Sequence, residues 1–97
     1  MGAAADKPYV LRLYVTDATP KSARAIVNAR RLLEEHLHDR YTLEILNITE
    51  NVAQATADQI VCAPTLLRLA PPPARRIIGD MLDVARVLKG LDVPVKR

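Results

Sequence analysis

Phenylalanine and tryptophan are absent from the 97 residues, and three tyrosines make up the whole aromatic complement. The core must then be aliphatic, built from Leu, Ile, Val and Ala, a composition that tolerates repacking. Cys62 is the single cysteine, which excludes an internal disulfide and a Cys-x-x-Cys pair. The three glycines, Gly2, Gly79 and Gly90, are scattered, so no glycine-rich loop stands ready to cradle a phosphate. The two histidines, His36 and His38, read as a helix pair two residues apart, pointing in different directions where a metal would need an i, i+4 pair. They read as surface side chains favoured by the dipole near a helix C-terminus. No run of 18 apolar residues occurs, and nothing is expected to span a bilayer.

What is present is a mildly basic chain, with 14 Lys and Arg against 11 Asp and Glu and a net charge of +3. Both signs are interspersed, which describes a solvated surface more than a footprint for a polyanion. Arg30-Arg31, Arg75-Arg76 and Lys96-Arg97 are the densest basic pairs, but they lack the stacking aromatics of single-strand binders, and no groove-reading helix stands out. Nucleic acid is therefore not an expected partner. Met1 to Asp6 is small and polar, unlike a secretory signal, and Asp6 stands where a myristoylation site wants Ser or Thr. The expectation is one cytoplasmic domain that buries somewhat over roughly 60% of its unfolded surface.

Tyr9 to Val15 (YVLRLYV) is β-branched and aromatic, with apolar residues on both parities, which predicts a strand covered on both faces in a largely parallel sheet. Thr19 then offers an N-cap and Pro20 a first helical residue. From Lys21 to about His38 the apolar residues Ala23, Ile26, Val27, Leu33 and Leu37 recur at helical spacing, with Lys21, Arg24, Arg31, Glu34 and Glu35 outward. Tyr41 to Ile48 returns as a strand, with Leu43 and Ile45 alternating against Thr42 and Glu44. This is a right-handed βαβ unit.

Asn51 to Gln59 predicts one or two helical turns behind an Asn cap, and Ile60 to Cys62 an extended segment. Arg75 to Gly79 reads as a strand that forms a hairpin with Leu66 to Leu69 across the proline turn. Asp83 to Lys89 reads as a closing helix with Val84, Val87 and Leu88 inward and Gly90 at the C′ position. The sum is α/β, a βαβ unit followed by αββα, the thioredoxin-like arrangement. One stretch resists this reading. Cys62 to Asp80 holds four of the seven prolines, Pro64 and Pro71 to Pro73, and X-Pro bonds such as Ala63-Pro64 favour trans by only about 0.5 to 1 kcal/mol. Leu66 to Ala70 suits a buried strand or a short buried helix equally.

A thioredoxin-type enzyme needs a low-pKa thiolate at the start of its first helix. Here that junction is Thr16-Asp-Ala-Thr-Pro-Lys21, with no nucleophile. Cys62 precedes the expected cis-proline and reads as a buried, inert thiol. No side-chain pattern for catalysis or for a cofactor emerges.

The segments YVLRLYV, TPKSARAI, YTLEILNI, APTLLRLAPPPARRIIGD and VLKGLD follow one another with the spacing of the KaiB family of circadian clock proteins. The chain resembles that family from about Tyr9 to Asp92, framed by a disordered tail over 1–8 and a short basic tail over 93–97. The resemblance implies a non-enzymatic protein that keeps its βαβ half and exchanges helices for strands in the second half. A tetrameric ground state gives way to a thioredoxin-like monomer that binds the N-terminal ATPase domain of a KaiC-like hexamer. The isolated protein is expected in the assembled form, with an element order after Ile48 unlike the thioredoxin-like one.

The family's switching determinants fall on Gly90 and Asp92, and the undecided stretch adds Pro64, Pro71, Pro72 and Pro73, which would slow an exchange between packings. By resemblance Asp58 and Gln59, with the basic Arg68, Arg75 and Arg76, are expected at the partner interface, the arginines as solvated charges. Gln59 stands where well-known members carry Lys, and Thr42 and Glu44 replace Ala and Lys on the strand that meets a KaiA-type partner, arguing against that partner here. The alternatives are a KaiB-like adaptor for a sensor histidine kinase or stress-response partner, and, third, an oxidoreductase.

Overall fold

The computed structural model describes residues 8–16 and 19–93. The proposed N-terminal tail lies outside the described residues but for Pro8, and so does the C-terminal one but for Val93. The elements are β1 (Tyr9–Val15), α1 (Pro20–His36), β2 (Tyr41–Asn47), a 3-10 turn (Ile48–Glu50), α2 (Val52–Ala57), β3 (Thr65–Ala70), β4 (Arg75–Ile78) and α3 (Val84–Leu91). This is the thioredoxin-like order, and the segment after Ile48 departs from the assembled-form order expected of the isolated chain.

The strands form one sheet in the order β2-β1-β3-β4. Only β1 and β2 pair in parallel; β3 runs antiparallel to both β1 and β4. The largely parallel sheet expected from YVLRLYV is thus corrected to a mixed one, because the β3–β4 hairpin adds two antiparallel pairs. The register places Leu13 beside Ile45 and Leu66, and Leu66 beside Ile77, an apolar row across all four strands. Leu11, Leu13, Val15, Leu66 and Ile77 join α1 and α3 in the main core.

Thr19 caps α1 by accepting from the Ser22 backbone N–H, and Pro20 fills the first turn, where its missing N–H has no partner to lose. The buried stripe is Ala25, Ala29, Leu32 and Leu33, continued by Leu37. Ala23 is exposed and Val27 is 60% exposed, so these two expected core positions are corrected. The buried face opens with Ser22 and passes through Ala25 and Asn28, which leaves Ala23 and Val27 on the solvent side. The helix stops at His36, which leaves His38 outside it, beyond the Leu37 cap.

Helix α3 starts from Asp83, whose carboxylate accepts from the Arg86 N–H. It runs past the expected C-cap: Gly90 lies inside the helix, and the left-handed terminal position belongs to Asp92, at φ 55°. Val87, Leu88 and Leu91 carry the burial, whereas Val84, expected inward, sits in the first turn and is exposed. Val93 follows with its N–H on the Leu88 carbonyl at 2.9 Å and its side chain in the core, so the packed domain reaches one residue beyond the expected 92. The peptide bonds Ala63-Pro64, Ala70-Pro71 and Pro72-Pro73 are cis.

Candidate partner-docking site

On the sheet face away from α1 and α3, the register lines up Glu44, Arg12, Leu67 and Arg76 across the four strands. A charged residue inside the central strand β1 needs a partner, and α2 supplies it. The Asp58 carboxylate, at the end of α2, accepts from Arg12 Nη1 at 2.9 Å and from the Tyr14 hydroxyl at 2.5 Å. Arg12 Nε reaches Glu44 Oε1 at 3.0 Å. Gln59 turns the chain in a left-handed conformation, φ 59°, and the Ile60 N–H closes onto the Ala55 carbonyl. From β4, Arg76 donates to the carbonyls of Gln59 and Asp58, at 3.2 and 3.3 Å. The end of this short helix is thereby held to β1 by side chains and to β4 through its backbone.

Charge and burial act together here. Tyr14 is fully buried, and burial, reinforced by its bond to the Asp58 carboxylate, pushes its hydroxyl up to about 12. Burial pulls the Asp58 carboxyl upward, but the bonds from Tyr14 and Arg12 and the nearby guanidinium charge outweigh it and hold the group below the ordinary carboxylate value. Burial likewise works against the Arg12 charge, and Glu44 and Asp58 more than offset it. This network fixes the end of α2.

The structure therefore brings together Asp58, Gln59 and Arg76 and separates the other expected interface residues. Gln59, Arg75 and Arg76 are exposed, but the Asp58 carboxylate, with its side chain only 11% accessible, is spent inside the molecule. Arg75 sits on the opposite face of β4 from Arg76, in register with Arg68. Arg68, expected as a solvated charge, is 3% exposed, because its parity on β3 turns it to the core face beside Leu66. Pro64 is buried, and Pro71 to Pro73 form the exposed turn between β3 and β4. Cys62, expected as a buried thiol, is exposed: the chain bends at 62–64 before β3 begins and leaves that side chain outside.

Sequence reasoning missed Arg12 and Tyr14, and placed Glu44 on the polar side of its strand without its bond to Arg12. The available signal was the polar residue at Arg12, in a strand read as covered on both faces. An open depression of about 470 Å³ lies elsewhere, lined by Arg30, Arg31, Glu34, Tyr41 and Leu43. Among the described residues no group of three or more His, Cys, Asp or Glu side chains converges as a metal site requires, and no helix is long and apolar enough to cross a membrane.

Comparison with known proteins bears on this geometry. A family model described as the KaiB domain matches residues 12–93. A circadian clock oscillator protein KaiB from Prochlorococcus marinus (strain MIT 9313) is 46% identical over 87 residues, covering 90% of this chain and 73% of that protein. Among solved structures, the N-terminal domain of SasA from Synechococcus elongatus superposes with a TM-score of 0.70 at 19% identity, over 89% of this chain and 85% of that one. The germline-specific thioredoxin Deadhead from Drosophila melanogaster gives 0.70 at 11% identity, over 90% and 80%. At such identities these two likenesses speak to the fold alone.

Proposed function

The chain belongs to the KaiB family, and from that premise we propose that it is a non-enzymatic, cytoplasmic regulator. It docks on the N-terminal ATPase domain of a KaiC-like hexamer and modulates that partner's phosphorylation or signalling. Docking exploits an exchange between the thioredoxin-like packing described above and an assembled, oligomeric ground state in which the second half is repacked. A partner that selects one of two packings separated by a few kcal/mol shifts the population without performing chemistry. The observation that carries this reading is the family match across residues 12–93, which spans both the βαβ half and the second half.

The arrangement of α2 supports the choice of surface. Its end is clamped to the sheet through Asp58 while Gln59 and Arg76 remain exposed beside it, a preorganised edge that loses little entropy on docking. Pro64 precedes β3, Pro71 to Pro73 form the β3–β4 turn, Gly90 lies within the last turn of α3 and Asp92 ends it, all in the elements an exchange would remake. The experiment is co-elution with a KaiC-like ATPase after prolonged incubation, in both nucleotide states. A stable complex in one state is expected; none in either state overturns the reading. A KaiB-like adaptor for a sensor histidine kinase or stress-response partner would instead be recovered by pull-down on that partner. The oxidoreductase reading would need reduction of insulin or glutathione disulfide, through a single thiol with no second sulfur to resolve the mixed disulfide.

A further inference from the structure

Arg68 is a buried charge that no carboxylate among the described residues meets. Among the described residues it makes no ion pair, and its guanidinium is shared between two backbone carbonyls: Nη2 donates to the Pro73 oxygen at 2.8 Å and Nη1 to the Asp92 oxygen at 3.2 Å. Its Nε, also buried, has no partner among the described residues. Burying a cation with no counterion is costly, so the site must return something for it. Two features of the molecule do. The Asp92 carbonyl stands at the C-terminal, negative end of the α3 dipole, which favours a cation. The Pro73 carbonyl belongs to the turn between β3 and β4, which has few backbone donors of its own to offer because three successive residues are proline.

We infer that Arg68 is a positioning residue that clasps the end of α3 to the β3–β4 turn, and so decides how firmly the closing helix stays docked in this packing. The planar guanidinium has donors fixed on a fork, and one group reaches both carbonyls at once, whereas a lysine ammonium is a compact point donor. Near its N-terminus α3 is tied to β4 by Arg86 Nη2, which donates to the Ile78 carbonyl at 3.3 Å; at its C-terminal end the Arg68 clasp is a directional tie beside apolar packing, which permits sliding. Any packing that releases α3 must strip Arg68 of the Asp92 carbonyl and leave a half-solvated charge. This inference does not depend on the docking partner proposed above, and its test needs none.

The test is amide hydrogen exchange of the full chain, followed residue by residue, for the parent protein, Arg68→Met and Arg68→Lys. The Asp92 and Val93 amides, both bonded to carbonyls inside α3, report the clasp, and Leu11 and Leu13 in β1 report global opening. Arg68→Met is expected to speed exchange at Asp92 and Val93 about ten-fold or more while Leu11 and Leu13 change by less than about two-fold. Arg68→Lys, holding one carbonyl at most, is expected to give a smaller acceleration, about three-fold, at the same two amides. Unchanged exchange at Asp92 and Val93, or equal acceleration of all four amides, overturns the inference by reducing Arg68 to an ordinary core residue. Should Arg68→Met not fold, Arg68→Lys decides alone by the same criteria.

Discussion

Gly90 and Ile77 compete for one space: a Cβ placed on Gly90 would lie 2.1 Å from Ile77 Cδ1 and 2.8 Å from Ile77 Cγ1. Gly90 is a helical residue of α3, where glycine costs about 1 kcal/mol relative to alanine. The sequence therefore gives up helix propensity to let the β4 isoleucine reach the helix backbone.

The expected outcome of Gly90→Ala follows from those two opposed terms. Alanine gains about 1 kcal/mol of helix propensity but forces Ile77 to move, and overpacking a core costs about 1 to 3 kcal/mol. Ile77→Val removes the nearer atom. In a double-mutant cycle read by denaturant unfolding, Gly90→Ala should be more favourable in the Ile77→Val background by about 1 kcal/mol. A coupling near zero would mean that Ile77 yields at no cost.

Tyr14 and Asp58 predict a characteristic pH dependence. The folded Asp58 carboxyl lies below its ordinary value, so its contribution is present above about pH 4 and lost as pH falls through the folded value. The folded Tyr14 hydroxyl lies at about 12, so its contribution is complete below about pH 10 and lost as pH rises towards that value. Tyr14→Phe deletes the link between the two. It should cost about 1.5 to 3 kcal/mol near neutrality, the range for a hydrogen bond to a charged group. The gap between parent and variant should be widest between roughly pH 5 and 9 and narrow on both sides. Unfolding curves at a series of pH values test this, and a gap independent of pH would contradict it.

The βαβ half was legible in the chain because its signals are local and agree with one another: Thr19 and Pro20 for the helix start, alternating Leu43 and Ile45 in β2. Leu66 to Leu69 and Arg75 to Ile78 were legible as a hairpin because prolines delimit them. What local patterns did not convey was three-dimensional competition. Gly90 reads as a helix stop until Ile77 is seen against it. Arg68 reads as a solvated charge until strand parity and the α3 end enclose it. Arg12 and Tyr14 gain meaning only through Asp58, more than 40 residues away in sequence. Arg76 is exposed, as expected of a solvated charge, and so is Gln59 beside it, while the network that holds them there was not legible.

Cys62 provides a simple check on the loop before β3. As an exposed side chain, it should react with a neutral thiol reagent in the native protein at a rate within a few-fold of the denatured chain. Cys62→Ser should change stability by less than about 0.5 kcal/mol, as for a surface substitution. Strong protection in the native state would return Cys62 to the interior.

Asp92 ends α3 under two handicaps. Its backbone is left-handed, a conformation that Asp and Asn tolerate better than most residues. Its carboxylate also stands at the negative end of the helix dipole, an unfavourable placement of about 0.3 to 1 kcal/mol at low salt. Asp92→Asn keeps the tolerance and removes the charge, so it should stabilise the thioredoxin-like packing by about 0.5 kcal/mol, with the gain fading at high ionic strength. Asp92→Val should instead cost about 1 to 3 kcal/mol, since a β-branched residue is strained there. Both changes leave the carbonyl that Arg68 grips in place, so they probe the cap separately from the clasp. If Asp92 also governs an exchange between packings, Asp92→Asn should raise the monomeric fraction by the same factor as its gain in stability. Such a gain with the oligomer ratio unmoved would confine Asp92 to the role of a helix end.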